Sequence, residues 1–456
     1  MDDAPPVLVH QAIAHDSAIR HVAGAAPYID DLPEPAGTLH LALGLAPVAR
    51  GRITRLDLDK VRAAPDVVAV FTANDVPGRN DVSPSFGDEP MLADEHISFH
   101  SQPVFLVAAT TRKAARLAAR LGEIDVEPEL ASVTIPDALS TGETVLPDYT
   151  FGRGHAEPAI DGAAHRLAGE IEIGGQEHFY LEGQIALAVP GEGETMFVLS
   201  STQHPSEVQH IVARVLGVRD HQVTIECRRM GGGFGGKESQ ASHWAALAAL
   251  AARLTGKPGK LRLDRDEDFA LTGKRHDFLS RYRVGYTENG LIEGIALEHL
   301  ARCGYSADLS LGVVDRTMFH SDNAYYLPHV EIASKRLKTN TVSNTAFRGF
   351  GGPQGVLAVE QVIDAIARER GQDPLDTRKA NFYRDGGSIT PYGMEVFDRA
   401  TLLPLVETLE TSSDYRTRRA TIKEHNAHSP ILKRGLALTP VKFGISFTLK
   451  HLNQAG

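Results

Sequence analysis

Residues 230–238 have the composition of a binding loop. Five glycines surround Phe234, and the segment closes with Lys237 and Glu238. A β-branched run precedes the segment, and an alanine-rich helical pattern follows it. Because glycine backbones let an anion or a polar cofactor approach closely, we expect this strand–loop–helix unit to bind such a group. The side chains that it offers are Phe234, Lys237 and Glu238.

The same segment nearly matches a phosphate-binding P-loop, since four residues separate Gly231 from Gly236 and Lys237. A nucleotide hydrolase carries a Ser or Thr at the next position to bind magnesium. This chain carries Glu238 there, and its carboxylate would repel a triphosphate. An unliganded turn is the alternative for any isolated glycine run. A P-loop nucleotide-binding module stays open as the weaker interpretation.

Composition excludes several classes of function. The net charge of −11 over 456 residues argues against a nucleic-acid surface or a polybasic membrane contact. The first residues are acidic where a secretory signal would be basic, and no long apolar run follows, so we expect a cytoplasmic protein without membrane contact. Cys227 and Cys303 are the only cysteines. This chain alone therefore supports neither a disulfide framework nor a cysteine-ligated zinc or iron–sulfur site.

Periodicity predicts a mixed α/β (α+β) fold. Strand and helix patterns of the first part lie at residues 39–45, 67–71, 103–108, 111–121 and 124–127. Those of the second part lie at residues 185–189, 196–200, 205–216, 223–225, 242–254 and 354–370. Residues 131–165 lose periodicity and gather Pro, Gly, Ser and Asp. We therefore predict a small α/β domain over residues 1–130, a linker over 131–165 and a larger domain over 166–456.

A second glycine-rich segment, residues 343–354, reads SNTAFRGFGGPQ. Together with residues 174–182 and 233–238, in that order, it resembles the molybdenum-binding portion of the xanthine dehydrogenase family, which belongs to the molybdenum hydroxylases. Further similar stretches are residues 201–203, 263–268, 275–276, 322–325 and 442–448. The resemblance covers nearly the whole chain. It implies a hammerhead-like α/β domain followed by a molybdenum-cofactor-binding domain that is incomplete at the C-terminus.

The resemblance implies a molybdenum–molybdopterin cofactor, in which the pterin dithiolene holds the metal and no protein residue ligates it. The protein supplies orientation, hydrogen bonds and electrostatics. By position, Gln203 would donate a hydrogen bond near the molybdenum oxo group. Phe234 and Gly235 would offer backbone N–H groups to the same side, and Arg348 would lie beside the cofactor.

The same mapping assigns a purine substrate to Glu238 and Arg316. A carboxyl group can bond the edge of a heterocycle, and a guanidinium can stabilise negative charge on its ring. Phe350 and Phe447 would clamp the flat substrate, and Thr448 would add a hydroxyl. Aldehyde oxidase relatives carry apolar residues at the first two positions, so this pair favours purine over aldehyde. A surface salt bridge between Glu238 and Arg316 is the alternative.

The family's general base is a glutamate that we expect beyond residue 456, so we assign no catalytic base and expect the chain alone to be inactive. The implied reaction hydroxylates hypoxanthine to xanthine and xanthine to urate. Electrons would leave through 2Fe-2S and FAD centres on a small partner subunit, with NAD as final acceptor and two copies of each subunit. The alternatives are an aldehyde oxidase, another N-heterocycle hydroxylase, or a non-catalytic remnant. A carbon monoxide dehydrogenase is disfavoured because Gly349 stands where its reactive cysteine would be.

Overall fold

The computed structural model describes residues 10–383, 387–396 and 401–444. The strands are β1 (Leu39–Leu45), β2 (Gly51–Asp57), β3 (Val67–Thr72), β4 (His96–Ile97), β5 (Pro103–Ala109), β6 (Glu123–Pro128), β7 (Thr144–Arg153), β8 (His165–Ile173), β9 (Ile185–Pro190), β10 (Met196–Ser200), β11 (Val223–Glu226), β12 (Gly259–Arg262), β13 (Phe278–Tyr286), β14 (Ile292–Gly304) and β15 (Val330–Lys338). The helices are α1 (Ala18–Val22), α2 (Asp59–Arg62), α3 (Arg112–Ala119), α4 (Ile135–Thr141), α5 (Ala156–Gly162), α6 (Pro205–Leu216), α7 (Ala241–Thr255), α8 (Arg265–Leu271), α9 (Ser310–Phe319), α10 (Gly352–Arg370), α11 (Pro374–Asn381), α12 (Leu402–Ser412) and α13 (Tyr415–His428).

A seven-stranded sheet joins the first part of the chain to the second. Its strand order is β11-β10-β9-β12-β1-β5-β3. At the junction β1 pairs in parallel with β12, with Leu39 opposite Gly259 and Leu41 opposite Leu261. The strands β1, β3 and β5 of residues 1–130 therefore do not form a separate sheet. The predicted small domain and the predicted larger domain contribute strands to one sheet.

The alanine-rich helix α7 packs on this sheet, and its contacts with the strands account for its alanine content. Small side chains let a helix approach a sheet closely, and Ala245, Ala246, Ala248 and Ala249 are all completely buried. Trp244 lies in the same core as Leu39 and Leu41 of β1 and Leu261 of β12. One hydrophobic core is therefore shared by both parts of the chain.

A five-stranded sheet of order β7-β15-β14-β13-β8 lies in the second region. A three-stranded sheet of order β4-β2-β6 lies in the first. Helices α9 and α10 contact the five-stranded sheet and each other. Among the described residues, no helix is both long enough and apolar enough to cross a membrane.

The prediction of a linker over residues 131–165 is wrong. This segment contains α4, β7 and α5, and β7 pairs antiparallel with β15. The turn-forming residues have local roles instead: Thr134 and Asp137 form a capping box on α4, Pro136 occupies its first turn and Gly142 ends it in a left-handed conformation. Because β7 is a mostly exposed edge strand, it lacks the apolar alternation that predicts strands.

The other predicted elements are present within a few residues of the predicted bounds, and the mixed α/β fold is confirmed. Helix α6 begins and ends at the predicted residues, Pro205 and Leu216. The run at residues 67–71 is entirely apolar, yet only Phe71 in it is buried. The physical reason is that β3 is the edge strand of the seven-stranded sheet, where neighbours cover one side only.

Candidate cofactor and substrate site

Two glycine loops meet backbone to backbone. The first glycine loop, residues 230–238, lies between β11 and α7, and the second glycine loop, residues 343–351, lies between β15 and α10. The Arg348 N–H donates to the Phe234 carbonyl oxygen at 2.8 Å. Gly235 has a φ of +100°, and a Cβ there would lie 2.6 Å from the Ala346 carbonyl oxygen. Glycine is therefore required at this position for the loops to approach each other.

A cavity of about 370 Å³ opens where the loops meet. Its lining includes seven residues that the sequence assigned to cofactor or substrate: Gln203, Phe234, Gly235, Glu238, Arg316, Arg348 and Phe350. Phe447 and Thr448, the other two residues assigned to the substrate, lie outside the residues that the structure describes. Phe443 also lines the cavity and was not predicted, although it belongs to the stretch 442–448 that carries the resemblance.

Gln203 follows β10 and is held against the first glycine loop. Its Oε1 accepts from the N–H of Gly235 at 2.8 Å and from the N–H of Lys237 at 3.4 Å. Its backbone N–H donates to the Lys237 carbonyl at 2.8 Å. With Oε1 fixed on the loop, the amide nitrogen is left to donate to a group in the cavity. The Gly235 N–H, expected to face a cofactor, bonds Gln203 in this structure instead.

Lys237 turns away from the cavity and is completely buried. Its Nζ donates to the Glu182 carbonyl and to Ser201 Oγ, each at 2.7 Å. A P-loop lysine must reach a phosphate, which this ammonium cannot do from inside the protein. Within the loop, the N–H groups of Gly236 and Glu238 bond loop carbonyls. The P-loop interpretation does not fit this geometry.

Glu238 lines the cavity and is half-buried. Burial and the nearby negative charge of Glu207 raise its pKa to about 7, while His204 acts in the opposite direction. His204 and Glu207 themselves form an ion pair at 3.3 Å between Nδ1 and Oε2. Near neutral pH the Glu238 carboxyl is therefore present in both forms, and it can donate or accept a hydrogen bond.

Arg316 projects from α9 and only 5% of its surface is exposed. Its Nη1 donates to the Gly444 carbonyl at 2.8 Å. Its guanidinium carbon lies 5.8 Å from the centre of the Phe350 ring and 5.2 Å from that of Phe443. Burial lowers the pKa of the guanidinium. A surface salt bridge with Glu238 is thus the wrong interpretation, because Arg316 is not at the surface.

Two residues that were not assigned to the site, Arg275 and His178, hold the backbone of the second glycine loop in place. The Arg275 guanidinium stacks 3.9 Å from the centre of the Phe347 ring, and its Nη2 donates to the Arg348 carbonyl at 2.9 Å. The His178 ring also stacks on Phe347, with ring centres 4.6 Å apart, and its Nε2 bonds the Ala346 carbonyl at 2.7 Å. These side chains fix the backbone on which Arg348 and Phe350 sit. Their presence in the family-like stretches was the signal available in the sequence.

The side chains around the cavity suit a polar group that carries its own metal ligands. Across residues 10–383, 387–396 and 401–444, no group of three or more His, Cys, Asp or Glu side chains is arranged to hold a metal ion. The cavity instead offers the Gln203 amide, the Arg348 guanidinium and loop backbone. Such donors bind oxygen atoms of a cofactor well, so the residues fit a metal held by an organic group.

Comparison with protein families decides the membership. Residues 140–382 match the family described as "Molybdopterin cofactor-binding domain". The chain belongs to this molybdopterin cofactor-binding family. Residues 23–129 of this molybdopterin-binding chain match the family described as "Aldehyde oxidase and xanthine dehydrogenase, a/b hammerhead domain". Together the two matches confirm the order expected from the resemblance, a hammerhead domain followed by a cofactor-binding domain.

Individual relatives agree with this membership. A xanthine dehydrogenase from Dictyostelium discoideum is 39% identical over 98% of this chain and 33% of its own length. One from Drosophila pseudoobscura pseudoobscura is 41% identical over 97% of this chain and 33% of its own length. The molybdopterin-binding chain thus spans about a third of the length of these relatives.

Two solved structures show the same fold. The aldehyde oxidoreductase from Desulfovibrio gigas superimposes with a TM-score of 0.83 at 28% identity, covering 91% of this chain and 47% of that one. Quinoline 2-oxidoreductase from Pseudomonas putida 86 has a TM-score of 0.81 at 24% identity, covering 91% and 55%. The molybdopterin-binding chain therefore has the fold seen in these two oxidoreductases.

Proposed function

We propose that this chain is the molybdenum-cofactor part of a xanthine dehydrogenase, which hydroxylates hypoxanthine to xanthine and xanthine to urate. The observation that carries the proposal is that Gln203, Glu238 and Arg316 line one cavity between the two glycine loops. Xanthine dehydrogenases at 39% and 41% identity support the same reaction. An aldehyde oxidase or another N-heterocycle hydroxylase is the competing proposal.

A bound molybdenum–molybdopterin group would supply the oxidation chemistry and the transfer of oxygen to a ring carbon. Gln203 would donate its amide N–H to this group, and the Phe234 backbone would face it. The Arg348 guanidinium, which is exposed in the cavity, would balance the group's negative charge. In this assignment the protein binds and orients the group and ligates no metal.

Glu238 and Arg316 would hold the purine. With a pKa of about 7, the Glu238 carboxyl can donate to a ring nitrogen or accept from a ring N–H. The buried Arg316 cation would stabilise negative charge that develops on the ring, an effect that is strong where water is excluded. Phe350 would stack on the purine face, and Phe447 and Thr448 would complete the pocket.

The remaining parts of the proposal extend beyond this chain. A glutamate beyond residue 456 would serve as general base. The 2Fe-2S and FAD centres would lie on a small partner subunit that passes electrons to NAD, and the assembly would hold two copies of each subunit in the cytoplasm. The net charge of −11 fits the expectation that no nucleic acid is bound.

The test is made on the complete protein that contains this chain, purified with its partner. We expect molybdenum in the purified protein and turnover of both xanthine and hypoxanthine. Arg316→Met should lower kcat/KM for xanthine by about 10²–10³-fold, the usual effect of removing one group that stabilises transition-state charge. Glu238→Val should act in the same direction, and the two together should improve turnover of an aromatic aldehyde relative to xanthine.

Arg281→Met is the matched control, because Arg281 is a half-exposed arginine on β13, away from the cavity. It should leave both substrates unaffected. The purine assignment is wrong if the Glu238→Val, Arg316→Met double variant turns over xanthine with unchanged kcat and KM. Molybdenum in a protein that oxidises aldehydes but not xanthine would favour the competing proposal.

A further inference from the structure

Lys237 is a buried cation with a full set of partners. Its side chain has no solvent exposure. Besides the Glu182 carbonyl and Ser201 Oγ, each at 2.7 Å, its Nζ lies 3.5 Å from Glu182 Oε2. It also lies 4.6 Å from the centre of the Tyr180 ring. An ammonium has three donors, and a buried charge is stable only when they are satisfied.

Glu182 connects this cation to the beginning of the first glycine loop. Its Oε2 accepts from the Gly231 N–H at 2.7 Å and from Ser201 Oγ at 2.6 Å. Its backbone N–H donates to the Gly231 carbonyl at 3.2 Å. Gly231, the first glycine of the run, and Lys237, near its end, are therefore both bound to Glu182. The loop is therefore anchored at both ends from inside the protein.

The backbone of Lys237 contacts Gln203 at two points. The Lys237 carbonyl accepts from the Gln203 N–H at 2.8 Å, and the Lys237 N–H donates to Gln203 Oε1 at 3.4 Å. Thr202 Oγ1 also donates to the same carbonyl at 3.3 Å. The side chain of Lys237 thus bonds Glu182 and Ser201 inside the protein. Its backbone bonds Gln203, which lines the cavity.

We propose that Lys237 is a positioning residue of the cofactor pocket: its ammonium, held by Glu182 and Ser201, fixes the loop backbone that orients the Gln203 amide toward the cavity. The role of Gln203 toward the cofactor belongs to the proposed function above, and this inference rests on it. The geometry of the three segments, however, is independent of any bound group.

The ammonium itself is needed, and not only the volume of the side chain. A methionine could fill the channel of the lysine stem, but it would leave the Glu182 carbonyl and Ser201 Oγ without their donor. A buried acceptor that loses its donor costs free energy, and a shift of the loop that gives the acceptor a new partner would lower this cost. Burial lowers the pKa of Lys237 to about 8 despite the attraction of Glu182, so the side chain is charged at neutral pH and loses its charge in mildly alkaline solution.

The first experiment is structural and needs no cofactor. We expect a crystal structure of the K237M variant of the complete protein that contains this chain to show the Gln203 Oε1 to Gly235 N contact, 2.8 Å in the wild type, lengthened beyond hydrogen-bonding distance. Hydrogen exchange of the first glycine loop should rise at least tenfold. S201A, which removes one acceptor of the ammonium, should give a smaller change in the same direction. It also keeps the test available if K237M folds poorly.

Lys260→Met is the matched control. Lys260 is another buried lysine, with Nζ 2.8 Å from carboxylate oxygens of both Asp30 and Glu34. It lies on β12, outside the cavity lining. K260M should show the general effect of losing a buried ammonium while leaving exchange of the glycine loop unchanged. Equal loop exchange in K237M and K260M would contradict the proposal, and so would an unchanged Gln203 to Gly235 contact in K237M.

The second experiment uses the complete, molybdenum-containing protein. K237M should alter the electron paramagnetic resonance spectrum of the Mo(V) state in the way that Q203A does, and it should lower kcat by about tenfold or more with less than threefold change in KM. The double variant should be no worse than Q203A. Independent, multiplying losses would overturn the inference. A Q203A spectrum identical to the wild type would instead overturn the proposed role of Gln203, leaving the structural result on Lys237 intact.

Discussion

Glu238 combines a position in the cavity with an unusual acidity. Most carboxyl groups ionise well below neutral pH, whereas burial and Glu207 raise the pKa of Glu238 to about 7. His204, paired with Glu207, limits this rise. If Glu238 holds the substrate as proposed above, the affinity through this carboxyl would change with pH near neutrality. Replacing Glu207 or His204 would shift the pKa of Glu238, and with it the pH range over which the affinity changes, without removing a contact to the substrate.

The raised pKa of Glu238 predicts a pH dependence of stability. The native state holds this proton up to about pH 7, while the unfolded chain releases it near the ordinary glutamate pKa of about 4.5. The native state thus binds more protons between these values, and the free energy of unfolding should fall as pH rises through this window, by about 3 kcal/mol from this group. Urea denaturation at several pH values measures it. Glu238→Gln should remove this part of the slope.

Glu192→Gln is the control for that measurement, because Glu192 lies on an exposed turn between β9 and β10. It should leave the pH dependence of the wild type in place. If Glu238→Gln and Glu192→Gln have the same slope between pH 4.5 and 7, the Glu238 carboxyl is not held protonated by its surroundings.

At the scale of single elements, the second glycine loop depends on its backbone shape. Gly349, Phe350 and Gly351 have φ values of +96°, +49° and +90° in succession. This left-handed run brings the Phe350 ring beside the Arg316 guanidinium and leads directly into α10. Phe350 is the only one of the three with a side chain, and such a conformation costs it about 1–2 kcal/mol. The surrounding loop contacts must offset this cost.

Gly351→Ala tests this loop. A Cβ at Gly351 would overlap the Val313 carbonyl oxygen on α9, in addition to the strain of the left-handed backbone. We expect a loss of about 3 kcal/mol or more in the free energy of unfolding. Gly371→Ala, at the other end of α10, is the control: its φ is +65° and a Cβ there would meet nothing within 4 Å. Equal losses in the two variants would show that backbone strain alone matters.

The sequence predicts elements whose signals are local. Helix α6 has an apolar face, a proline at its start and Gly217 after its end, and its bounds were predicted correctly. Strand β7 was missed because an exposed edge strand carries no apolar alternation. The bond from Gly235 to Gln203 could not be predicted either, since it joins residues 32 apart whose meeting depends on the folded sheet. Only resemblance to a family placed these residues together.

At the scale of the whole molecule, both parts of the chain share one hydrophobic core. Leu41 of β1 and Leu261 of β12 are directly opposite in the seven-stranded sheet, and both lie in the core that contains Trp244. Trp244 is the single tryptophan of the chain and belongs to the second part. The fluorescence of Trp244 therefore reports whether a substitution that destabilises the first part of the chain also destabilises the second part, which carries the glycine loops.

Leu41→Ala should lower the free energy of unfolding by about 2–5 kcal/mol, and the loss should appear in the unfolding transition that Trp244 fluorescence follows. Leu261→Ala should shift the same transition, and the double variant should lose less than the sum, because the two side chains share neighbours. Leu117→Ala on α3, where the leucine is 53% exposed, is the control and should change little. An unshifted Trp244 transition in Leu41→Ala would mean that the two parts unfold separately.

The parallel pairing of β1 with β12 also affects synthesis of the chain on the ribosome. Leu39 is made about 220 residues before its partner Gly259, which at 5–20 residues per second corresponds to roughly 10–45 s of translation. During that time β1 can pair with β5 on one side only. Its other edge offers free backbone groups beside Leu39 and Leu41, a surface on which nascent chains associate. Codon usage and chaperone supply over residues 110–260 should therefore affect the yield of folded protein more than they do elsewhere in the chain.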